Sequence, residues 1–113
     1  MCYVYMLECR DGSYYTGYTP DLQRRMKAHT AGKGGHYTHA HPPIAIRGLW
    51  RCEDATAARR LEYAVKHLTR PEKEALLAAP RTLPERFPKL AEYTYEFLPD
   101  VTLADCLEGR WDG

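Results

Sequence analysis

The chain has 113 residues, of which 44% are hydrophobic and 27% charged, and its formal net charge is +1. This length fits one domain, and no apolar run approaches the roughly 20 residues of a membrane-spanning helix. The net charge alone does not indicate a nucleic-acid partner. However, residues 1–51 hold seven basic and three acidic side chains, whereas residues 80–113 hold four and seven. The first half is therefore the part expected to face an anion.

The N-terminus and the cysteines indicate a cytoplasmic protein. Strand-like sequence follows Met1 directly, with no basic segment before it, so we expect no signal peptide. None of the four cysteines lies in a Cys-x-x-Cys pair. This spacing disfavours a zinc knuckle and predicts reduced thiols.

A β-hairpin is predicted at the start of the chain. Residues 2–9 and 14–18 are rich in aromatic and β-branched side chains, as strands are. Asp11 and Gly12 lie between the two runs, and a glycine there supplies the positive φ that tight hairpin turns need. The sequence therefore predicts two antiparallel strands at the N-terminus.

A helix, a loop and a third strand are predicted next. Thr19 is the expected N-cap and Pro20 the first residue of a helix that ends at Gly32. Residues 32–43 are rich in Gly, His and Pro, which predicts a loop without regular structure. The third strand is expected at residues 44–52.

Two further helices and a proline-interrupted tail complete the predicted order. Asp54 is the expected N-cap of a helix at residues 55–68, which carries an apolar stripe, and a capping box starting at Thr69 predicts another helix at about 70–79. The tail, residues 80–113, is expected to be an accessory extension. Within it, residues 92–98 form either a short edge strand or an extended arm.

These elements predict an α+β fold in which a small three-stranded antiparallel sheet is flanked by helices. A sheet covered by helices is the simplest way to bury the apolar faces. Residues 1–79 are expected to form the domain. Residues 80–113 are expected to pack on it or to dock onto a protein partner, with a last helical turn at 102–107.

Three sets of polar side chains are candidates for a functional site. Tyrosines crowd the hairpin, and a phenol such as Tyr5 either joins a cross-strand aromatic pair or lines a cleft. Arg25 and His29 share a helix face, where an arginine is either solvated or able to bind a phosphate with two hydrogen bonds. Glu62 either pairs with Lys66 or helps to hold Mg²⁺ together with waters and a substrate phosphate.

The loop at residues 32–43 allows three interpretations. Its histidines would make a poor metal site, because no fourth ligand is evident. A plain connector between elements is the second possibility. The favoured interpretation is a nucleic-acid clamp, in which Lys33 and the glycine amides contact phosphates and Tyr37 stacks on bases.

The order of these residues resembles the GIY-YIG nuclease superfamily. Its two motif triplets are matched by Tyr3-Val4-Tyr5 and Tyr15-Thr16-Gly17. Tyr3 replaces the first glycine of the motif, and Thr16 replaces its second isoleucine. Residues 15–25, 32–38 and 58–62 are similar to the small stand-alone, UPF0213-type branch, and the whole resemblance covers residues 2–79.

The resemblance implies a metal-dependent endonuclease that hydrolyses DNA phosphodiester bonds. Glu62 would hold one Mg²⁺ or Mn²⁺, and Arg25 would bind the scissile phosphate. Tyr5, Tyr15 or His29 would handle the attacking water. The preferred assignment makes Tyr5 the base and His29 the acceptor of its proton.

The resemblance also implies a DNA-binding surface, and single-stranded or structured DNA is the favoured substrate. Its expected residues are Gly17, Lys33, His36, Tyr37, Thr38, His39 and His41. His39 and His41 stand where similar proteins usually carry arginines, so DNA binding is expected to tighten at mildly acidic pH. Two further departures are Tyr18, where excision-repair relatives have lysine, and the absence of asparagine from the chain.

The sequence also allows two other functions. A non-catalytic nucleic-acid-binding module would keep Lys33, Tyr37 and Arg25 and would tolerate the loss of Glu62 without losing its role. A subunit of a DNA repair or processing complex is a third possibility, with residues 80–113 as its docking arm.

Overall fold

The computed structural model describes residues 1–111 and has an α+β fold, as predicted. The strands are β1 (Cys2–Cys9), β2 (Tyr14–Thr19), β3 (Pro43–Cys52) and β4 (Tyr95–Phe97). They form one antiparallel sheet in the order β2-β1-β3-β4. The helices are α1 (Leu22–Thr30), α2 (His36–Ala40), α3 (Ala55–Lys66), α4 (Arg70–Ala78), α5 (Leu83–Arg86) and α6 (Leu103–Leu107). Residues Pro80–Thr82 and Pro88–Leu90 form short 3₁₀ turns.

The prediction of three strands is wrong because the C-terminal extension supplies a fourth. β4 pairs with β3 and places Phe97 opposite Trp50, with their ring centroids 5.4 Å apart. An ion pair of 2.7 Å between Arg51 and Glu96 lies beside them. The edge-strand alternative for residues 92–98 is thus the one observed, and the extension packs against the first part of the chain.

The N-terminal hairpin forms as predicted. Gly12 has φ +86°, and the backbone N–H of Cys9 donates to the carbonyl of Ser13 at 2.8 Å. The register between β1 and β2 sets Tyr5 directly opposite Gly17. This pairing places the two motif triplets side by side at the edge of the sheet.

Helix α1 has a different N-cap from the predicted one. Thr19 is the last residue of β2, where it pairs with Tyr3, and the N-cap is Asp21. The Asp21 carboxylate accepts the backbone N–H of Arg24 at 3.2 Å, and aspartate caps helices as well as threonine does. The predicted end is confirmed, because Gly32 has φ +76° and its N–H donates to the carbonyl of His29.

The segment predicted as an irregular loop contains a helix. Residues His36–Ala40 form the short helix α2 after Gly35, whose φ is +148°. Five residues are too few to show a helical pattern in the sequence. The buried side chain of Thr38 fixes this turn to α1.

The two faces of the sheet carry separate hydrophobic cores. On one face Val4 and Met6 pack with residues of α3 and α4. On the other face Tyr5 and Leu7 pack with Met26 of α1. Helices α1 and α3 therefore lie on opposite faces of the sheet.

All four cysteines are free and buried. Among residues 1–111, no helix is both long and apolar enough to cross a membrane.

Candidate active site

A cleft of about 360 Å³ opens along the edge strand β2. Its lining includes Tyr5, Tyr15, Gly17, Tyr18, Arg25 and Glu62. Arg25 comes from α1 on one face of the sheet and Glu62 from α3 on the other. Four of the five side chains expected to be catalytic therefore line one cleft, while the fifth, His29, lies completely buried beside Tyr5.

Tyr5 forms the floor of this cleft and explains why residue 17 is glycine. The ring of Tyr5 crosses directly over Gly17 on the neighbouring strand. A Cβ atom at residue 17 would lie 2.5 Å from Tyr5 Oη, which is closer than atoms can pack. Any larger residue would therefore displace the phenol from its position.

A chain of polar contacts runs from the cleft into the interior. Arg25 Nε donates to Tyr5 Oη at 3.4 Å, and Tyr5 Oη lies 2.8 Å from His29 Nε2. On the other side of the imidazole, His29 Nδ1 lies 2.7 Å from Thr38 Oγ1. Both nitrogens of the buried imidazole thus have a hydrogen-bond partner.

Burial controls the protonation of this chain. It raises the pKa of the Tyr5 phenol to about 12, although the hydrogen bond from Arg25 acts in the opposite direction. Burial, together with the positive charge of Arg25, lowers the pKa of His29 to about 4. At neutral pH, the resting site therefore holds a protonated Tyr5 and a neutral His29.

Glu62 provides the negative charge of the cleft. Its side chain is 20% exposed, and its Oε1 lies 3.4 Å from Lys66 Nζ, one helical turn further along α3. The charge of Glu62 contributes to raising the pKa of Tyr5, although burial and Tyr15 contribute more. Glu62 therefore both pairs with Lys66 and acts electrostatically on the phenol.

An aromatic stack extends the site away from Arg25. The ring of Tyr15 lies 5.5 Å from that of Tyr37 at an interplanar angle of 22°. Tyr37 in turn lies 4.6 Å from the ring of His41, and its hydroxyl contacts Ser13. The stack therefore links the hairpin to α2.

The residues expected to bind DNA differ in their accessibility. Lys33, His36, Tyr37 and His39 are exposed, while His41 is half-buried. His41 Nδ1 lies 2.9 Å from Asp11 Oδ2, so a carboxylate faces that histidine. Thr38 differs from expectation, because its side chain is buried and its hydroxyl contacts His29 instead of pointing to solvent.

Residues 1–75 match the profile of the family described as the GIY-YIG catalytic domain. The chain belongs to the GIY-YIG family. In the GIY-YIG fold of this chain, the tyrosines of the two triplets, Tyr5 and Tyr15, have ring centroids 6.5 Å apart.

Curated proteins similar to this GIY-YIG chain carry the family name UPF0213. The UPF0213 protein BH0048 of Halalkalibacterium halodurans is 50% identical over 67% of this chain and 81% of that protein. VNG_2274C of Halobacterium salinarum is 47% identical over 67% of this chain and 99% of that protein. XAC3202 of Xanthomonas axonopodis pv. citri is 45% identical over 81% of this chain and 91% of that protein, so the likeness extends past residue 79.

One solved structure is also similar to this GIY-YIG chain. It is the solution NMR structure of the UPF0213 protein BH0048 from Bacillus halodurans. The sequences are 49% identical, the match covers 69% of this chain and 84% of that one, and the TM-score is 0.47.

Two residues shape this GIY-YIG site in ways that the sequence does not indicate. Thr38 was expected to bind DNA, but it holds the imidazole of His29. Gly34 lies in the segment predicted as an irregular loop whose glycine amides contact phosphates, but a Cβ atom there would lie 2.3 Å from His29 Nδ1. Both roles depend on α2 folding back onto α1, and no local sequence signal reports that contact.

The buried His29 is expected to make the protein less stable in acid. Its folded-state pKa of about 4 lies below its ordinary value of 6.5, so between these pH values the unfolded chain binds the extra proton. The free energy of unfolding should therefore fall from about pH 6.5 to about pH 4, by up to about 3 kcal/mol, and this contribution is constant above that range. Urea unfolding at several pH values measures this.

The matched comparison is between two histidine variants. His29→Gln should flatten the pH dependence of stability, whereas His36→Gln, at an exposed histidine, should retain it. The same slope in His29→Gln as in the unsubstituted protein would contradict the proposed origin of the effect.

Proposed function

We propose that this protein is a metal-dependent endonuclease that hydrolyses DNA phosphodiester bonds, with single-stranded or structured DNA as the favoured substrate. The observation that carries the proposal is the meeting of Arg25, Glu62 and the Tyr5–His29 pair in and behind one cleft. Membership of a family described as a catalytic domain supports it. The free, buried cysteines are consistent with the cytoplasmic location that we include in the proposal.

Glu62 is the side chain that fits a divalent cation. Within residues 1–111, no group of three or more His, Cys, Asp or Glu side chains is placed to hold a metal ion by itself. Mg²⁺ suits such a site, because it retains several waters and binds through one or two carboxylates plus a substrate phosphate. A Mg²⁺ or Mn²⁺ held by Glu62 would supply charge stabilisation to the phosphate and to the leaving 3′ oxygen.

Arg25 is suited to hold the scissile phosphate. It is half-buried at the cleft, and its Nε donates to Tyr5. In the described part of the chain, no carboxylate lies within ion-pair distance of Arg25. Its terminal nitrogens can therefore donate two hydrogen bonds to a phosphate and offset the charge that develops during hydrolysis.

Tyr5 and His29 together are suited to remove a proton from the attacking water. In the tautomer with a proton on Nδ1, His29 donates to Thr38 and accepts the Tyr5 proton at Nε2. As water attacks the phosphorus atom, it gives a proton to Tyr5 Oη, and Tyr5 gives its own proton to His29. Tyr5 stays neutral, and the proton ends on the imidazole.

Substrate binding makes this transfer easier. Burial is the larger cause of the lowered pKa of His29, and the positive charge of Arg25 is the second. A phosphate bound to Arg25 would offset that charge, so His29 would become a stronger base only when substrate is in place. The resting site is thereby kept from deprotonating water without DNA.

The tautomer of His29 depends on Thr38, which gives a testable prediction. Thr38→Val keeps the side-chain shape but removes the buried acceptor of the Nδ1 proton. We expect a loss of about 1 kcal/mol in stability, because a buried N–H is left unpaired, and about a tenfold slower cutting. Imidazole ¹⁵N shifts should show a mixture of tautomers in Thr38→Val and a single tautomer in Thr38→Ser. One unchanged tautomer in both variants would contradict the role of Thr38.

The surface around α2 is proposed to bind the DNA backbone and bases. Its accessible members are Lys33, His36, Tyr37, His39 and His41. Protonated histidines attract phosphates, so binding at pH 6 should be tighter than at pH 8. His39 should contribute more than His41, because Asp11 faces His41 at 2.9 Å. Salt titrations at the two pH values would reject this if they were identical, or if His39→Gln left the difference intact.

The experiment that tests the proposed function is a cutting assay on labelled DNA. The wild-type protein is incubated with single-stranded, branched and duplex DNA in Mg²⁺, Mn²⁺ or EDTA. We expect cutting that requires the metal and is fastest on single-stranded or branched DNA. Binding without cutting on every substrate would contradict the enzyme and favour a binding module.

A further inference from the structure

A second and larger groove lies on the far side of α3 from the active cleft. Its volume is about 740 Å³, and it separates α3 from the C-terminal extension. The lining side chains that matter here are Arg59, Arg60, Tyr63, Arg86, Phe87 and Lys89. Half of this wall therefore comes from residues beyond the matched catalytic domain, which ends at residue 75.

The groove is positively charged. Four cations line it, and no carboxylate is among its lining residues. Within residues 1–111, none of these cations has a carboxylate within ion-pair distance. Arg86 Nε donates to Thr82 at 2.8 Å and its charge acts weakly on Glu72, while Arg60 lies 5.9 Å from the ring centre of Tyr93.

This charge contrasts with the extension as a whole. Residues 80–113 have four basic and seven acidic side chains. Of the acids, Glu96 pairs with Arg51, and Asp105 and Glu108 pair with Arg110. Arg86 and Lys89 instead face the groove, so two of the four cations of the extension line it.

Aromatic and apolar surface lies between the cations. Tyr63 is 66% exposed, and its ring is supported by that of His67 at a centroid distance of 4.1 Å. Phe87 lies half-buried on the opposite wall. Exposed rings between cations suit a single strand, whose unpaired bases stack on aromatic side chains while its phosphates contact cations. A duplex offers only its backbone and would leave the rings unused.

The groove and the active cleft lie on two sides of the same helix, α3. Glu62 lines the cleft, and the next residue, Tyr63, lines the groove. A helix with its side chains is about 10–12 Å thick, so a strand crosses it within a few nucleotides. On the helical wheel, Arg59 and Lys66 fall between Glu62 and Tyr63 and provide cations along that route.

We propose that this groove binds the segment of a single-stranded nucleic acid that leaves the active cleft. The proposal rests on the proposed nuclease function and adds a second anchoring point on the substrate. The groove makes the protein prefer strands that continue several nucleotides beyond the scissile phosphate. The C-terminal extension thus has a part in substrate selection.

The test measures how the affinity for single strands depends on their length, with and without the positive charge of the groove. Binding of labelled oligothymidylates of about 6 and about 20 nucleotides is measured for the full-length Glu62→Gln protein, so that no strand is cut. We expect the longer strand to bind at least about tenfold more tightly than its larger number of overlapping binding positions alone would give. Adding Arg86→Glu and Lys89→Glu should abolish that advantage and lower the salt slope of the longer strand by about 1–2.

A matched control separates groove charge from overall charge. Arg81→Glu reverses an exposed cation of the extension outside the groove and should keep the length dependence. Amide NMR signals of residues 59–64, 86, 87, 89 and 90 should shift with the longer strand in the parent protein. An unchanged length dependence in the groove variant would overturn the proposal, as would equally strong competition by a polyglutamate peptide.

The two proposals fail in different ways. If the wild-type protein cuts DNA but the groove variant binds both oligonucleotides like its parent, the groove has no part in substrate binding and the nuclease stands. If the groove variant loses the length dependence but the wild-type protein never cuts, the groove binds a strand and the nuclease is overturned.

Discussion

Glu62→Gln is expected to slow metal-dependent cutting of DNA by about a thousandfold while leaving DNA affinity within about threefold. The amide keeps the size of the side chain but lacks the negative charge that a divalent cation needs. The lost ion pair with Lys66, which is half exposed, contributes little to stability, so the melting temperature should change little. Cutting rates at saturating metal and binding in EDTA give the two quantities.

The matched control is Glu74→Gln on α4. Glu74 also pairs with a cation one helical turn away, Arg70 at 3.6 Å, but it is exposed outside the cleft. The Glu74→Gln variant should therefore cut DNA at the wild-type rate. Retention of more than about a tenth of the wild-type rate by Glu62→Gln would contradict the assignment of the metal to Glu62.

Tyr5→Phe is expected to slow cutting by about a hundredfold or more, the range of a lost acid–base group. The phenyl ring still fills the floor of the cleft and still requires glycine at position 17. However, the hydroxyl that contacts both Arg25 and His29 is gone. Single-turnover rates at saturating protein measure the chemical step without the binding step.

A double substitution tests whether Tyr5 and His29 act as one unit. If the proton passes from water through Tyr5 to His29, His29→Gln should slow cutting about as much as Tyr5→Phe does. The double variant should then cut only slightly more slowly than either single variant. If the rate reduction in the double variant were the product of the two single reductions, the relay would be contradicted and Tyr5 and His29 would have independent roles. Tyr14→Phe, on the same hairpin but on the opposite face, should cut at the wild-type rate.

The parts of the fold that depend on local chemistry could be predicted from the sequence. Gly12 and Gly32 have the positive φ values expected of a hairpin turn and a helix end. Asp54 and Thr69 cap α3 and α4 as predicted, and these helices end within two residues of the expected positions. Such signals are readable because each depends on residues that are close in sequence.

The parts that depend on distant contacts could not be predicted. β4 has three residues, and only its pairing with β3 makes it a strand. Thr19 fits an N-cap by sequence, but its pairing with Tyr3 shifts the helix start to Asp21. A local pattern is overridden where sheet pairing or packing offers a competing partner.

The candidate site shows the same division. The order of Tyr5, Tyr15, Arg25 and Glu62 carries the family resemblance, and the structure brings these side chains to one cleft. The complete burial of His29 could not be inferred, because it results from the packing of α2 against α1, where Thr38 contacts the imidazole. That burial lowers the pKa of His29 and separates it from the cleft surface.

The most direct test of a nuclease site at this cleft is cutting of end-labelled single-stranded DNA by three proteins side by side. These are the wild-type protein, Arg25→Ala and Glu62→Ala, each in Mg²⁺ and in EDTA. Cutting by the wild-type protein in Mg²⁺ alone, with both variants slower by about a hundredfold or more, is the predicted result. Cutting that persists in EDTA, or in both variants, would place the activity elsewhere and contradict the site.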